Sequence, residues 1–236
     1  MSKAQEEGKE VAVSEGMAVA ELGDLFNIRE NMEGVVPDFP VIKSIHQGQM
    51  FEMPDGQKVE SFTGIIIDIS RANAFWHESF DTGGGGHIPD CFSVDGLVPS
   101  HNSADKQSDD CATCPQNQFG SDRDGGRGKA CKNMKRIFVL LPGEQFPFRL
   151  IASPANIRSI DSYVTQLSSK AIPYQLVVTE FSLYKKKNQD NIEFSGMNFK
   201  HIETIEDKDA AMKIKRTVDD LRASMRGLDV SAAEVG

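Results

Sequence analysis

The sequence lacks three features that mark common classes of protein. It has no run of about 18 or more apolar residues, so we expect no membrane-spanning helix. Residues 1–10 are acidic and polar rather than basic and then apolar, so we expect no secretory signal and a cytoplasmic location. It also lacks excess positive charge, because the formal net charge is −9. That balance counts against a phosphate-rich partner unless the basic residues are clustered.

The charge is unevenly distributed along the chain. Residues 1–38 contain nine acidic residues against Lys3, Lys9 and Arg29, so six of the nine net negative charges lie there. This composition is typical of an acidic, partly disordered arm, with one short helix predicted at 17–26. Such an arm could compete with phosphate for a basic groove, recruit partner proteins, or act only as a solubilising tail.

From residue 39 the apolar pattern is that of short strands. The predicted strands occupy residues 41–53, 59–69, 136–141, 146–151, 174–184 and 192–202. The turn signal Pro54-Asp55-Gly56-Gln57 joins the first two strands in a hairpin, and a polar link over 185–191 joins the last two. Helices are predicted at 154–169 and 208–227.

These elements predict a mostly β, α+β fold. We interpret it as an oligonucleotide-binding-type β-barrel with a zinc-binding loop insertion and a C-terminal helix. A β-sandwich with flanking helices explains the same pattern. The expected layout is an acidic arm at 1–38, a barrel domain at 39–202 with its insertion at 81–134, and a C-terminal helix with a frayed tail at 203–236.

The chain has only four cysteines, and all lie in the polar stretch 81–134. They are Cys91, Cys111, Cys114 and Cys131. A Cys-x-x-Cys pair can bind one zinc ion from a tight turn, and four thiolates would complete a closed structural site. Such a site would explain how so long a polar stretch is ordered. Buried free thiols and a redox pair are the alternatives, and His87 or His101 could replace a cysteine ligand.

Two basic clusters and three aromatic residues are candidates for binding nucleic acid. The first cluster consists of six cations opposed by one acid, Asp124. Its cations are Arg123, Arg127, Lys129, Lys132, Lys135 and Arg136. The second cluster, Lys185, Lys186 and Lys187, follows Tyr184 directly. Phe75 and Trp76, the only tryptophan, end a predicted strand region. In proteins that bind single strands, bases stack on aromatic rings and phosphates contact cationic side chains. Alternatively, such rings belong to the hydrophobic core and such lysines are solvated surface residues.

Three segments around the cysteines carry a family resemblance. Their sequences are PDCFSVDG at 89–96, CATCPQNQFGS at 111–121 and GRGKACK at 126–132. Together with the apolar strand that follows, they resemble phage and mobile-element single-stranded DNA-binding proteins of the oligonucleotide-binding fold that carry a four-cysteine zinc insertion. The resemblance covers about residues 40–200.

The resemblance implies a non-enzymatic protein that coats single-stranded DNA with low sequence preference during replication or recombination, in a bacterial or phage-infected cell. RNA is an alternative ligand, and replication proteins could bind the acidic arm or the C-terminal helix. A zinc-stabilised adaptor that binds only proteins is a second interpretation. A third is a nuclease of the histidine-asparagine-histidine type, suggested by His87 and His101, although such nucleases usually pair two cysteine knuckles.

Overall fold

The computed structural model describes residues 34–35, 37–45, 48–78, 88–122, 125–187 and 193–230. Most of the predicted acidic arm, its helix at 17–26, His87 and the tail at 231–236 lie outside the described residues. From Asp38 onward, the described residues form one compact unit.

Strands dominate this unit, so the fold is mostly β, as the sequence predicts. The strands are β1 (Val41–Ile45), β2 (Met50–Glu52), β3 (Lys58–Val59), β4 (Ser61–Phe75), β5 (Cys91–Ser93), β6 (Lys132–Leu140), β7 (Phe148–Ala152), β8 (Val177–Lys187) and β9 (Glu193–Thr204). The α-helices are α1 (Ile157–Ser169) and α2 (Lys208–Gly227). Short 3-10 turns occur at Pro115–Asn117, Pro154–Asn156 and Tyr174–Leu176.

The strands form a single sheet in the order β3-β2-β1-β7-β6-β4-β8-β9, and β5 pairs with the end of β4. β1 and β7 pair in parallel, and the other pairs are antiparallel. The long strand β4 organises the sheet. It pairs with β8 at its start, with β6 along most of its length, and with β5 at its end.

The sheet curls into an open half-barrel around aromatic side chains. Three strands separate β2 from β4 in the sheet order, yet the rings of Phe51 and Phe62 lie 4.9 Å apart. Phe62 stacks on Phe181 at 4.6 Å, Phe181 meets Phe199 at 5.6 Å, and Phe199 stacks on Tyr163 of α1 at 5.7 Å. This row of rings brings β2 against β4 and β8, and α1 covers its other end.

Several elements extend beyond their predicted bounds. β4 continues to Phe75 instead of ending at residue 69, and β6 begins at Lys132 instead of residue 136. Both extensions pair with each other, from Arg71 opposite Lys135 to Ala74 opposite Lys132. β8 runs through Lys187, so the three lysines predicted to lie in a link are on a strand.

The C-terminal helix α2 occupies its predicted residues. The Asp207 side chain caps it by accepting a hydrogen bond from the Ala210 amide at 2.7 Å. An apolar stripe is buried, consisting of Ile214, Val218, Leu221 and Met225. Arg226 donates two hydrogen bonds of 2.9 Å to the buried carboxylate of Asp68, beside an irregularity in β4. This pair fastens α2 to the sheet. No helix in the described part of the chain is long and apolar enough to cross a membrane.

The outer edge of β9 is held at one point by Asn156, which precedes α1. Its side-chain amide donates to the Ser195 carbonyl at 3.1 Å, and its oxygen accepts from the Met197 amide at 2.8 Å. A side chain thus takes the place of a neighbouring strand at these two backbone groups.

Candidate functional site

All four cysteines line one small cavity of about 20 Å³ at the end of β4, where β5 and β6 meet it. We call residues 88–122 and 125–131, which surround this cavity, the cysteine loop. None of the four thiols is in a disulfide. Cys111, Cys114 and Cys131 are buried, and Cys91 is half-buried. The cavity has room for about one water-sized sphere.

Hydrogen bonds shape the turn that carries Cys111 and Cys114. One carboxylate oxygen of Asp110 accepts from the amides of Ala112 and Thr113 at 2.8 and 2.9 Å. Behind the turn, the Asn117 side chain donates to the Cys111 carbonyl at 2.6 Å. The turn is therefore built from local polar contacts, as expected for a polar sequence that forms a tight loop.

Strands position the other two cysteines. Cys91 opens β5 directly opposite Phe75 of β4. Cys131 immediately precedes β6, and its amide donates to the Gln116 carbonyl at 2.8 Å. One thiol therefore lies on β5, one lies next to the start of β6, and two lie on the Cys-x-x-Cys turn, although the first and last cysteines are 40 positions apart.

Burial raises the pKa of two of these thiols, Cys131 and Cys111. Desolvation, followed by the neighbouring thiols Cys111, Cys114 and Cys91, raises the pKa of Cys131 to about 12. Desolvation also raises the pKa of Cys111, against hydrogen bonds with Ser93 and Asn73. The raised pKa values favour the protonated thiols of Cys131 and Cys111 near neutral pH, and a divalent cation would stabilise their thiolates.

The described residues contain no group of three or more His, Cys, Asp or Glu side chains arranged to hold a metal ion as they stand. The four thiols nevertheless line one cavity. Their number and chemistry still suit zinc, which prefers four thiolates in closed structural sites. Among the candidate substitutes, His101 is exposed, and His87 lies outside the described residues.

Two of the predicted nucleic-acid contacts are in the interior. Phe75 is 1% exposed and lines the cysteine cavity, so its ring has no face on which a base could stack. Arg136 is 0% exposed, and its guanidinium donates to the Leu228 carbonyl. Trp76 is half-buried against a small cluster that includes Phe92 and Met134, which is the environment of a core residue.

The lysine triplet is divided between the two faces of β8. Lys185 and Lys187 lie on one face, where both pair with Glu193 of β9 at 2.8 and 3.3 Å. Lys186 lies on the other face with Tyr184, and its ammonium is 5.9 Å from the centre of that ring. Tyr184 covers Gly196 of β9, where an added Cβ would lie 2.4 Å from the ring. The ring is 41% exposed.

A groove of about 670 Å³ lies between α1 and the β8–β9 hairpin, and we call it the hairpin groove. None of the described residues that line it is acidic. Its lining has two cations, Arg158 and Lys186, the aromatic rings of Tyr163, Tyr184 and Phe199, and the polar side chains of Ser159, Ser162, Gln166, Ser182 and Asn198. In a chain of net charge −9, such a lining is electrostatically suited to an anion.

The basic cluster near Cys131 is only partly available to a ligand. Lys135 pairs with Asp161 of α1, and Arg136 is buried. Arg127 and Lys132 are exposed. Lys129 is half-buried, and its ammonium donates to Asn117 and Asn133 side chains at 3.1 and 3.0 Å. The cluster therefore presents fewer cations than its sequence suggests.

Sequence reasoning missed Arg158 and the hairpin groove. Arg158 is an isolated cation in a predicted helix, and it lines the same groove as Lys186 only because α1 packs against β9. The one available signal was the spacing of Ser159, Ser162 and Gln166, which gives α1 a polar face.

Comparison with protein-family models, curated proteins and solved structures finds no match to this chain.

Proposed function

We propose that this protein binds single-stranded DNA with low sequence preference, through the hairpin groove, and that a structural zinc ion held by Cys91, Cys111, Cys114 and Cys131 orders its cysteine loop. The observation that carries the proposal is the lining of the groove: an exposed aromatic ring, two cations and no acid among its described residues.

The groove combines the two interactions that sequence-tolerant binding needs. A base can stack on the exposed Tyr184 ring, because every base has an aromatic face. Lys186 and Arg158 can neutralise phosphates, and the amide and hydroxyl groups between them can donate hydrogen bonds to the backbone. We therefore assign base stacking to Tyr184 instead of the less accessible Phe75 and Trp76. We no longer include Arg136, which is buried, or Lys135, which pairs with Asp161, among the phosphate contacts.

Zinc supplies the cysteine loop with a source of order that its composition lacks. Four thiols from distant parts of the chain face one cavity, and burial raises the pKa of Cys131 and Cys111. A closed site of four thiolates has no open coordination position, so the ion would stabilise structure and would not catalyse a reaction. Two ligands then lie on β5 or next to the start of β6, which ties the loop to the open half-barrel. We interpret that sheet as an oligonucleotide-binding-type barrel.

Oligonucleotide binding by fluorescence anisotropy tests the proposal. The full chain should bind a labelled poly-dT strand more tightly than the matching duplex, and the affinity should fall as salt rises, by about 0.7 in log–log slope per phosphate contact. Tyr184→Leu should weaken binding by about 5- to 150-fold, corresponding to about 1–3 kcal/mol for one stacked base. Leucine still covers Gly196, so the hairpin should remain folded, and Tyr184→Phe should bind like the parent.

Matched charge variants separate the groove from general electrostatics. Lys186→Gln and Arg158→Gln should each weaken binding and lower the salt slope, whereas Lys200→Gln should not. Lys200 is an exposed cation on the same hairpin, but it pairs with Glu180 and does not line the groove. Equal effects of all three variants, or no binding by the parent at low salt, would overturn the proposal, and the protein-binding adaptor would replace it.

A further inference from the structure

The most exposed large hydrophobic side chain in the described part of the chain is an aromatic ring on the cysteine loop. Phe119 is 83% exposed, compared with 57% for Leu97 on the same loop. An isolated exposed leucine is common, but a phenylalanine that buries almost none of its ring contributes little to folding. Phe119 therefore needs another explanation.

Hydrogen bonds of the surrounding loop hold the backbone on both sides of Phe119 in place. The Gln118 side chain donates to the carbonyls of Ala112 and Cys114 at 2.9 and 3.0 Å. On the other side, the Gly120 amide donates to the Gly128 carbonyl at 2.8 Å, and the Ser121 hydroxyl donates to the Gln118 carbonyl at 2.7 Å. These contacts bind the backbone on both sides of Phe119 to the loop that carries Cys111 and Cys114.

Positive charge lies directly beside this ring. The Lys129 ammonium is 5.1 Å from the ring centre. Two hydrogen bonds, to Asn117 and Asn133, fix its position. The exposed Arg127 is close by, because its carbonyl accepts from the Gly120 amide at 3.3 Å. The neighbouring acid, Asp122, faces Gly126, where an added Cβ would lie 2.8 Å from its carboxylate oxygen.

We propose that Phe119 is a second stacking platform for a base of single-stranded nucleic acid, with Lys129 and Arg127 as the adjacent phosphate contacts. This inference rests on the proposed function and extends it to the cysteine loop. A nucleotide matches the arrangement because it joins a flat apolar base to an anion over a short distance. An apolar protein surface would gain the ring but would have to desolvate two cations without an anionic partner.

The test compares Phe119→Ala with Leu97→Ala in the anisotropy assay with labelled poly-dT. Phe119→Ala should weaken binding by about 5- to 150-fold, whereas Leu97→Ala, which removes an exposed apolar side chain from the same loop, should leave affinity within about twofold. Phe119→Tyr keeps an aromatic face and should restore binding. Because the ring is exposed, the variants should have the parent's thermal midpoint and metal content.

The outcomes distinguish this inference from the proposed function. If the parent binds poly-dT and Tyr184→Leu weakens it, but Phe119→Ala binds as the parent does, the second platform is wrong and the hairpin groove stands. If Phe119→Tyr fails to restore affinity lost in a folded Phe119→Ala, stacking at this position is also wrong. If the parent does not bind poly-dT at low salt, the proposed function itself fails.

Discussion

The sheet and the cysteine loop of this protein are ordered by different forces. In the sheet, buried apolar side chains such as Ile66, Ile137 and Phe181 interlock across the strands. In the cysteine loop, three of the buried residues are cysteines beside Pro89, Phe92 and Ser93, and the backbone is held by hydrogen bonds with side chains such as those of Asp110, Asn117 and Gln118. The sheet is therefore stabilised by the burial of apolar surface.

The cysteine loop depends on hydrogen bonds, which water can replace. Each therefore adds only about 0.5–1.5 kcal/mol to the net free energy of unfolding. A loop built this way needs a further stabilising interaction, and under the proposed function a zinc ion bound by the four thiols would supply it. The comparison predicts that the two regions will respond to different perturbations.

Removing the proposed zinc ion should have the largest effect, and that effect should be confined to the cysteine loop. Apparent binding free energies for structural zinc are about 10–16 kcal/mol, so a strong chelator should leave the loop without its main source of order. In hydrogen-exchange mass spectrometry, the amides of Cys131 and Asn117 should lose protection while those of β6 and β8 keep theirs. Cys114→Ser should reproduce the chelated pattern.

Elemental analysis of the purified chain provides the check on that experiment. Fewer than about one zinc ion per chain, or loop amides that stay protected after chelation, would show that the cysteine loop is not ordered by a metal.

Two phenylalanine substitutions should separate the core of the sheet from the surface of the cysteine loop. Phe181 is 0% exposed and contacts Phe62 and Phe199, so Phe181→Ala should lower the free energy of unfolding by about 3–5 kcal/mol. Phe119→Ala removes the same side chain from an exposed site and should change it by less than about 0.5 kcal/mol. Urea unfolding followed by circular dichroism measures both, and comparable losses would mean that the loop ring is part of the core.

The smallest effect should come from Glu193, which neutralises two sheet lysines. Glu193→Gln should free Lys185 and Lys187, raise affinity for single-stranded DNA modestly, and steepen the salt slope by up to about 1.4. Glu180→Gln, which frees Lys200 instead, is the matched control. A Glu193→Gln slope equal to the parent's would show that these lysines do not reach the strand.

The pH dependence of that effect follows from the same ion pairs. Hydrogen bonds from Lys185 and then Lys187 lower the pKa of Glu193 below its ordinary value. The carboxylate therefore stays ionised from pH 5 to 8, and any stability it contributes is lost only as the pH falls through that lowered pKa. The difference between Glu193→Gln and the parent should be the same at pH 5.5 and pH 8.

The sequence predicted best where local signals and tertiary packing agree. The bounds of α2 follow from its apolar stripe and the Asp207 cap, both readable along the chain. The four cysteines stand out because thiols are unexpected in so polar a stretch. The end of β4 was missed because Arg71 and Asn73 interrupt its apolar run, and pairing with β5 and β6 sustains the strand there.

The charge pattern was the least predictable from sequence. Proximity along the chain suggested one basic cluster around Cys131, but the fold buries Arg136 and pairs Lys135 with Asp161. It also places Arg158 and Lys186 in the lining of one groove through the packing of α1 on the hairpin. Which cations remain available is decided by contacts between distant segments, and these leave no local signal.

The hydrogen bonds of the Asn156 side chain to the edge of β9 bear on how closely copies of this protein can lie without aggregating. If the protein coats single-stranded DNA as proposed, its copies are held at high local concentration, where an open sheet edge invites fibrous self-association. By occupying the Ser195 carbonyl and the Met197 amide, one side chain interrupts the row of backbone groups that a neighbouring molecule would need. Copies of the protein would then lie close together on single-stranded DNA without joining through their sheet edges.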